Sequence, residues 1–167
     1  MKKVIKSMME TRQMGTIPYT YYEDTDPIQD LDNKILQGVH AYCFYNGKLV
    51  IVYDGQKKSW TPAGGHIEKG ETIEEAVIRE VKEEANMKVL HQELIGFIDV
   101  EESKDRTIRQ TRSFCIVEPY GPFICDPDGD ITEIKLIDPK DYKKYFDWGE
   151  VGDRIMERAL ELLKDLK

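Results

Sequence analysis

Residues 64–87, which read GGHIEKGETIEEAVIREVKEEANM, constrain this chain more than any other stretch. Thr72 followed three residues later by Glu75 is a capping box, in which each side chain satisfies an unpaired backbone N–H of the other residue. Neither glycine nor proline interrupts the next ten positions, and the composition favours helix. Asn86 stands where many helices end in a left-handed residue, which Asn tolerates. The pattern predicts a helix over residues 72–85.

A helical wheel at about 100° per residue shows that this helix is unusual. Its inward face carries the apolar residues Ile73, Ala76, Val77 and, at the edge, Val81. Glu80 and Glu84 fall in the middle of the same face, and Glu83 lies at its border. An ordinary amphipathic helix would carry Leu or Ile at positions 80 and 84. A solvated acidic helix is the alternative, but it does not explain acids inside the apolar arc.

Inward carboxylates indicate a bound cation. Buried carboxylates are costly unless they are paired or bound to metal, and neighbouring ones raise each other's pKa. Oxygen ligands without a His or Cys cluster favour Mg²⁺ or Mn²⁺ over Zn²⁺. Arg79 lies where it can pair with a carboxylate, and Glu71 is the natural partner. The sequence therefore predicts a divalent metal site beside a phosphate-bearing substrate.

The same segment resembles the Nudix box, whose pattern is G-x5-E-x7-R-E-U-x-E-E-x-G-U, where U is an aliphatic residue. The matching residues are Gly65, Glu71, Arg79, Glu80, Val81, Glu83, Glu84 and Met87. Asn86 departs from the pattern, because the family has a glycine there. Since that glycine ends the helix, Asn is a mild substitution.

The resemblance implies an α/β fold, a Nudix-type α/β/α sandwich around a mixed β-sheet. Residues 37–167 would form the Nudix hydrolase domain, and residues 1–36 an N-terminal extension packed on it. The family generally cleaves a nucleoside diphosphate linked to another group. Water attacks a phosphorus with the help of Mg²⁺ or Mn²⁺, so we expect an enzyme acting on phosphorus-containing acid anhydrides.

The resemblance also implies roles for the box residues. Glu80, Glu83 and Glu84 would bind metal together with the backbone carbonyl of Gly64. Arg79 and Glu71 would form the orienting pair. The general base stays open, with Glu80 and Glu84 as the choices inside the box. A later loop is the other source, and its acids are Asp126, Asp128, Asp130 and Glu133.

Composition limits the remaining possibilities. A length of 167 residues suits one domain with a sizeable core, and the net charge of −8 argues against binding a nucleic-acid backbone. No apolar run is long enough to span a membrane, and the N-terminus lacks the apolar stretch of a signal peptide. Three widely spaced cysteines, Cys43, Cys115 and Cys125, are expected as reduced thiols. These features predict a cytoplasmic protein. They leave the oligomeric state open, with a homodimer as one option.

The sequence pattern of the rest of the chain predicts mainly strands. One strand is expected near Thr16–Tyr22, and the segments GVHAYCFY and KLVIVYD form a hairpin around Asn46-Gly47. Two strand regions follow the box, at 89–100 and 111–118, joined by a polar loop at 101–108. ITEIKLI is a further strand, and an amphipathic helix covers about 149–166.

Three basic residues that the box pattern does not specify are predicted to bind the substrate. Arg109 and Arg112 belong to a cluster with Arg106, and an arginine fork suits phosphate oxygens. His66 directly follows the glycine pair and could reach a phosphate. An ordinary surface role is the alternative for each of them.

A small-molecule nucleotide is the expected partner, and a nucleoside triphosphate, ordinary or oxidised, is the leading substrate. Dinucleoside polyphosphates are an alternative, because Trp60-Thr61-Pro62 precedes the box. ADP-ribose and nucleotide sugars also remain open. A different class of function is a Nudix-like regulator that binds a nucleotide without hydrolysing it. The intact REVKEE run at residues 79–84 disfavours such a regulator.

Overall fold

The computed structural model describes residues 3–124, 126 and 129–166, so Cys125 and Asp128 lie outside the described residues. Within that part of the chain, nine strands form one sheet. The strands are β1 (Val4–Thr11), β2 (Gly15–Glu23), β3 (Lys34–Tyr45), β4 (Lys48–Asp54), β5 (Ser59–Thr61), β6 (Ala63–His66), β7 (Met87–Ser103), β8 (Arg106–Pro119) and β9 (Ile131–Ile137). The α-helices are α1 (Ile73–Ala85) and α2 (Gly149–Asp165), and a 3-10 helix covers Pro139–Lys144.

The sheet is mixed, as predicted. Its strands follow the order β1-β2-β7-β8-β3-β4-β5, while β6 pairs with β3 and β9 pairs with β4. Only the β3–β8 pairing is parallel among the described strands. Asn46 and Gly47 have φ angles of 50° and 76°, the left-handed conformation that a two-residue hairpin turn requires. The predicted β3–β4 hairpin is therefore confirmed.

One helix covers each face of the sheet, which confirms the predicted sandwich. The apolar face of α1 packs on Val39, Cys43 and neighbouring side chains of β3 and β4. On the other face, α2 packs on a core that includes Tyr42 and Phe44. Side chains alternate between the faces of a strand, so β3 supplies both cores. The site described below lies on the α1 side of this frame.

The ends of α1 agree with the sequence. Thr72 and Glu75 form both hydrogen bonds of the capping box, and Asn86 ends the helix with φ 53° and ψ 44°. The Asn86 side chain also donates to the carbonyl of Pro122 at 3.0 Å. The substitution of Asn for glycine therefore keeps the helix end and adds a bond to a loop. Glu80 is only 9% exposed, on the buried face of the helix as predicted.

Two regions differ from the expectation. The strand expected near Thr16–Tyr22 is confirmed as β2, and Val4–Thr11 adds β1, which pairs with β2 at the edge of the sheet. The predicted polar loop at 101–108 is wrong, since the strands continue as a hairpin with Ser103 opposite Arg106. Both faces are solvated at this end of the sheet, so polar residues can continue the strands. No helix in the described ranges is long and apolar enough to cross a membrane.

Candidate functional site

The site lies where α1 approaches the glycine pair of β6. A Cβ atom on Gly65 would stand 2.4 Å from Oε1 of Glu80, and one on Gly64 would stand 2.1 Å from the Val39 carbonyl oxygen. Both distances are too short for any side chain. The glycines therefore allow the backbone of β6 to lie directly against β3 and against the carboxylate of Glu80.

Arg79 organises one half of the site. Its Nε donates to Oε2 of Glu71 at 2.7 Å, and its Nη2 donates to Oε1 at 3.0 Å, so the pair is bidentate. Nη1 donates to Glu80 at 2.8 Å and to Glu83 at 3.3 Å. Nη2 also donates to the backbone carbonyl of His66 at 2.9 Å. The hydrogen bonds from Arg79 lower the pKa of Glu71 to about 2, so this half holds charge that is already compensated.

Glu84 occupies the other half of the site. It accepts a hydrogen bond from the backbone N–H of Gly64 at 2.8 Å. Burial raises the pKa of Glu84 to about 8, and the negative charges of Glu80, Asp126 and Asp54 add to the effect. Crowded carboxylates with a raised pKa are the environment that a divalent cation would relieve. Carboxylate oxygens are donors that fit Mg²⁺ or Mn²⁺.

The carboxylates are not arranged as a finished coordination shell. Among the described residues, no group of three or more His, Cys, Asp or Glu side chains is close enough to hold a metal ion as it stands. Hydrogen bonds keep the three carboxylates apart, because Arg79 donates to Glu80 and Glu83 while the backbone of Gly64 donates to Glu84. Binding a metal would require these side chains to turn toward a common centre.

A cleft of about 600 Å³ is lined by two of these residues, Glu80 and Glu84. Arg79, Lys57 and Asp130 also line it. The side chain of His66 is exposed at its rim. The cleft can therefore present both negative charge for a metal and positive charge for a phosphate.

Sequence reasoning missed several residues of the cleft. Asp54 contributes to the charge around Glu84, although it ends a strand far from the box in sequence. His40 and Trp148 also line the cleft, and their rings lie 5.6 Å apart. The hairpin and the glycine pair indicated that β3 lies nearby, but no sequence signal linked Trp148 to the box.

Arg109 differs from the prediction that it binds substrate. It is 2% exposed, and its guanidinium donates to both oxygens of Asp99 at 2.7 and 3.0 Å. It also donates to the backbone carbonyls of Pro27 and Gln29 at 2.8 and 2.6 Å, and it stacks on Phe97. These contacts occupy its donors and hold the N-terminal segment on the sheet, so they give Arg109 a structural role.

Arg112 lies on the opposite face of β8, in a different environment. It is 4% exposed, and its guanidinium lies 5.9 Å from the ring centre of Trp148. It lines a second cavity, which shares His40 and Trp148 with the box cleft. The structure thus separates the two predicted arginines and brings only Arg112 next to the cleft.

The comparisons with known proteins agree with this geometry. The family model of the NUDIX domain matches residues 35–159. Among solved structures, the Bacillus subtilis pyrophosphohydrolase BsRppH superposes with a TM-score of 0.72 at 19% identity, covering 93% of this chain and 96% of that one. A NUDIX hydrolase from Nitrosomonas europaea gives 0.63 at 21% identity, covering 77% and 90%. An ADP compounds hydrolase gives 0.58 at 14% identity, covering 99% and 95%. No curated protein sequence matches significantly.

The family model covers most of the chain and includes the whole box. The chain therefore belongs to the Nudix family and is a hydrolase acting on pyrophosphate bonds. BsRppH and the ADP compounds hydrolase share its fold over 93% and 99% of this chain.

Proposed function

We propose that this protein is a Mg²⁺- or Mn²⁺-dependent pyrophosphohydrolase whose substrate is a nucleoside triphosphate. The observation that carries the proposal is the excess negative charge around Glu84, inside a cleft that also contains Lys57 and Arg79. A cation bound there would neutralise the carboxylates, and the cleft would accept the phosphates of the substrate.

The metal ligands we propose are Glu80, Glu83, Glu84 and the backbone carbonyl of Gly64. A divalent ion bound by them would neutralise charge on the phosphates and lower the pKa of the attacking water. Glu80 and Glu84 are both suited to accept a proton from that water, because each faces the cleft.

The remaining residues would position these groups and the substrate. The bidentate pair of Glu71 and Arg79 would fix the orientation of Glu80, since Arg79 donates to both carboxylates. His66 at the rim of the cleft would contact a phosphate. Arg112 would contact another part of the substrate in the neighbouring cavity. Arg109 is left out of this assignment because its donors are occupied.

The identity of the substrate is tested with a panel of nucleotides. The purified protein is incubated with Mg²⁺ or Mn²⁺ and ordinary or oxidised nucleoside triphosphates, dinucleoside polyphosphates, ADP-ribose or nucleotide sugars. Metal-dependent release of a nucleoside monophosphate from a triphosphate is the expected result. Preferred cleavage of another class would replace the proposed substrate. Tight binding without turnover would favour the regulatory alternative.

The metal ligands are tested by Glu83→Gln, which removes a charge while keeping the shape of the side chain. Turnover should fall by roughly two orders of magnitude or more, as when other groups that stabilise transition-state charge are removed. Glu74→Gln is the matched control, because Glu74 is an exposed acid on the same helix. Turnover near that of the control would refute Glu83 as a ligand.

A further inference from the structure

A second cavity of about 500 Å³ adjoins the box cleft on the α2 side of the sheet. Its walls are largely apolar, with Met8, Ile98, Val151 and Ile155 among them. His40 and Trp148 line both spaces. A ligand with its phosphates in the cleft could therefore place another part of the molecule in this cavity.

Arg112 is the unusual residue of the cavity. The one hydrogen bond of its guanidinium within the described residues runs from Nη1 to the Thr111 carbonyl at 3.0 Å. Its Nε is buried without a partner, and no described carboxylate lies within ion-pair distance. Burial lowers the pKa of Arg112, which reflects the cost of this charge. The hydroxyl of Tyr42 is also buried without a hydrogen bond.

Buried donors without partners destabilise a protein, so the position of Arg112 beside a cavity indicates a ligand that accepts hydrogen bonds. The strand itself offers the contrast, because Arg109 meets four acceptors only three residues away. Arg112 lacks such partners, so its N–H groups can donate hydrogen bonds to a ligand that enters the cavity.

The walls indicate the chemistry of that ligand. A phosphate is a poor occupant, because the apolar side chains cannot solvate it and the carboxylates of Glu10 and Asp147 lie in the same lining. A flat, uncharged ring with acceptor atoms on one edge fits better. Trp148 and His40 supply aromatic surfaces, and the arginine fork supplies two parallel donors.

We propose that this cavity binds the base of the nucleotide and that Arg112 selects a 6-oxopurine, which means guanine or hypoxanthine. These bases present O6 and N7 as adjacent acceptors, the pair that arginine binds in a bidentate manner. Adenine presents an amino donor in place of O6, so it would place a donor against the donors of the guanidinium. The inference rests on the proposed nucleotide hydrolase and names its substrate class.

The same geometry makes a prediction about oxidised guanine. In 8-oxoguanine N7 carries a hydrogen, so one of the two acceptors becomes a donor. The Arg112 fork would then meet only O6. The cavity should therefore prefer ordinary guanine to the oxidised base.

The first test compares substrates of the wild-type protein and needs no variant. With Mg²⁺ present, kcat/KM for GTP and ITP should exceed that for ATP by roughly tenfold to a hundredfold, the range expected for one bidentate contact. In 7-deaza-GTP a C–H replaces N7, so this substrate should fall between GTP and ATP. Equal values for GTP, 7-deaza-GTP and ATP would overturn the proposal.

The second test removes the fork. Arg112→Met should abolish the preference for GTP, and Arg112→Lys should weaken it, because lysine keeps the charge without the paired donors. Arg106→Met is the matched control, since Arg106 lies on the same strand, is half-exposed and pairs with Glu102. A preference that survives in Arg112→Met would refute the assignment.

Binding of nucleoside monophosphates separates this inference from the proposed hydrolysis. Calorimetry should show that GMP and IMP bind more tightly than AMP in wild type and equally in Arg112→Met. That result would support the base pocket even if no triphosphate were cleaved. Hydrolysis of triphosphates with no difference in GMP and AMP binding would support the enzyme and overturn the pocket.

Discussion

The chain buries charge in several places, and two of these regions are built in opposite ways. At one end of the sheet, Arg109 pairs with Asp99 and caps two backbone carbonyls, so positive and negative groups compensate each other. In the box cleft, Glu84 is surrounded by the charges of Glu80, Asp126 and Asp54. The first region is complete without a ligand, whereas in the second a bound cation would offset the negative charge around Glu84.

This difference teaches how to tell a structural charge from a functional one. Arg109 and Arg112, two of the three arginines of β8, were given the same role from the sequence, and burial alone does not separate them, since Arg109 is 2% exposed and Arg112 is 4% exposed. Their partners do separate them. Paired charges such as Arg109 and Asp99 should govern stability, while Glu84 and Arg112 should govern binding, and the following three experiments test that division.

The largest expected effect on stability comes from breaking the compensated region. Asp99→Asn leaves the buried guanidinium of Arg109 without its full counter-charge, and the free energy of unfolding should fall by about 3–5 kcal/mol. Urea unfolding measures the loss. The folded fraction should keep a normal kcat/KM, because Asp99 does not line the box cleft.

The matched double variant is Arg109→Met with Asp99→Asn, which removes both charges. It should recover part of the lost stability, as expected when a buried pair is replaced rather than broken. If Asp99→Asn reduces kcat/KM while leaving stability unchanged, the division between the two regions is wrong.

The second effect is a pH dependence of stability that arises in the box cleft. The pKa of Glu84 is about 8 in the folded protein and near 4.5 as an unperturbed side chain, so the fold prefers the protonated form. Its contribution to stability is fully present below the unfolded value and is lost as pH rises through the folded one. Water reaches part of this carboxyl, so we expect a loss of about 2 kcal/mol.

The variant Glu84→Gln isolates this contribution, because glutamine cannot ionise and its oxygen can still accept from Gly64. Without metal, the difference in unfolding free energy between variant and wild type should grow between pH 4.5 and pH 8. Urea titrations across that range measure it. A constant difference would show that Glu84 is ionised throughout in the folded protein.

The smallest of the three effects is stabilisation by Mg²⁺. At a free Mg²⁺ concentration tenfold above its Kd, the wild-type protein should gain about 1.4 kcal/mol. Thermal unfolding at the upper end of the pH range should show the rise. Asp99→Asn should gain as much as wild type, and Glu84→Gln should gain less. Sodium chloride at matched ionic strength controls for screening, and an equal gain from it would remove the metal from the explanation.

The local features of α1 were predictable because they depend on neighbours in the sequence. The capping box, the left-handed Asn86 and the inward position of Glu80 all follow from residue type and helical spacing. The hairpin at Asn46-Gly47 was predictable for the same reason, since a short turn uses only local backbone preferences. The Nudix family followed from the box because its residues stand in a fixed register.

Contacts between distant segments were not predictable in this way. Asp54 and Trp148 reach the site because β4 pairs with β3 in the sheet and α2 packs on one face of that sheet, and no local sequence pattern predicts these contacts. The strands at 101–108 were missed because polar composition resembles a loop when both faces of a sheet end are solvated. The pairing with the opposite strand stabilises them instead.

The sequence by itself determined the helix, its inward carboxylates and the family, because each depends on residues close together in the chain. The tertiary structure decided which charges are compensated. It placed Asp99 and the carbonyls of Pro27 and Gln29 around Arg109, and it left Arg112 facing a cavity. The free energy of a buried charge depends on its distances to groups remote in the sequence and on how much water is excluded around it. Only the folded chain sets these distances and this exclusion.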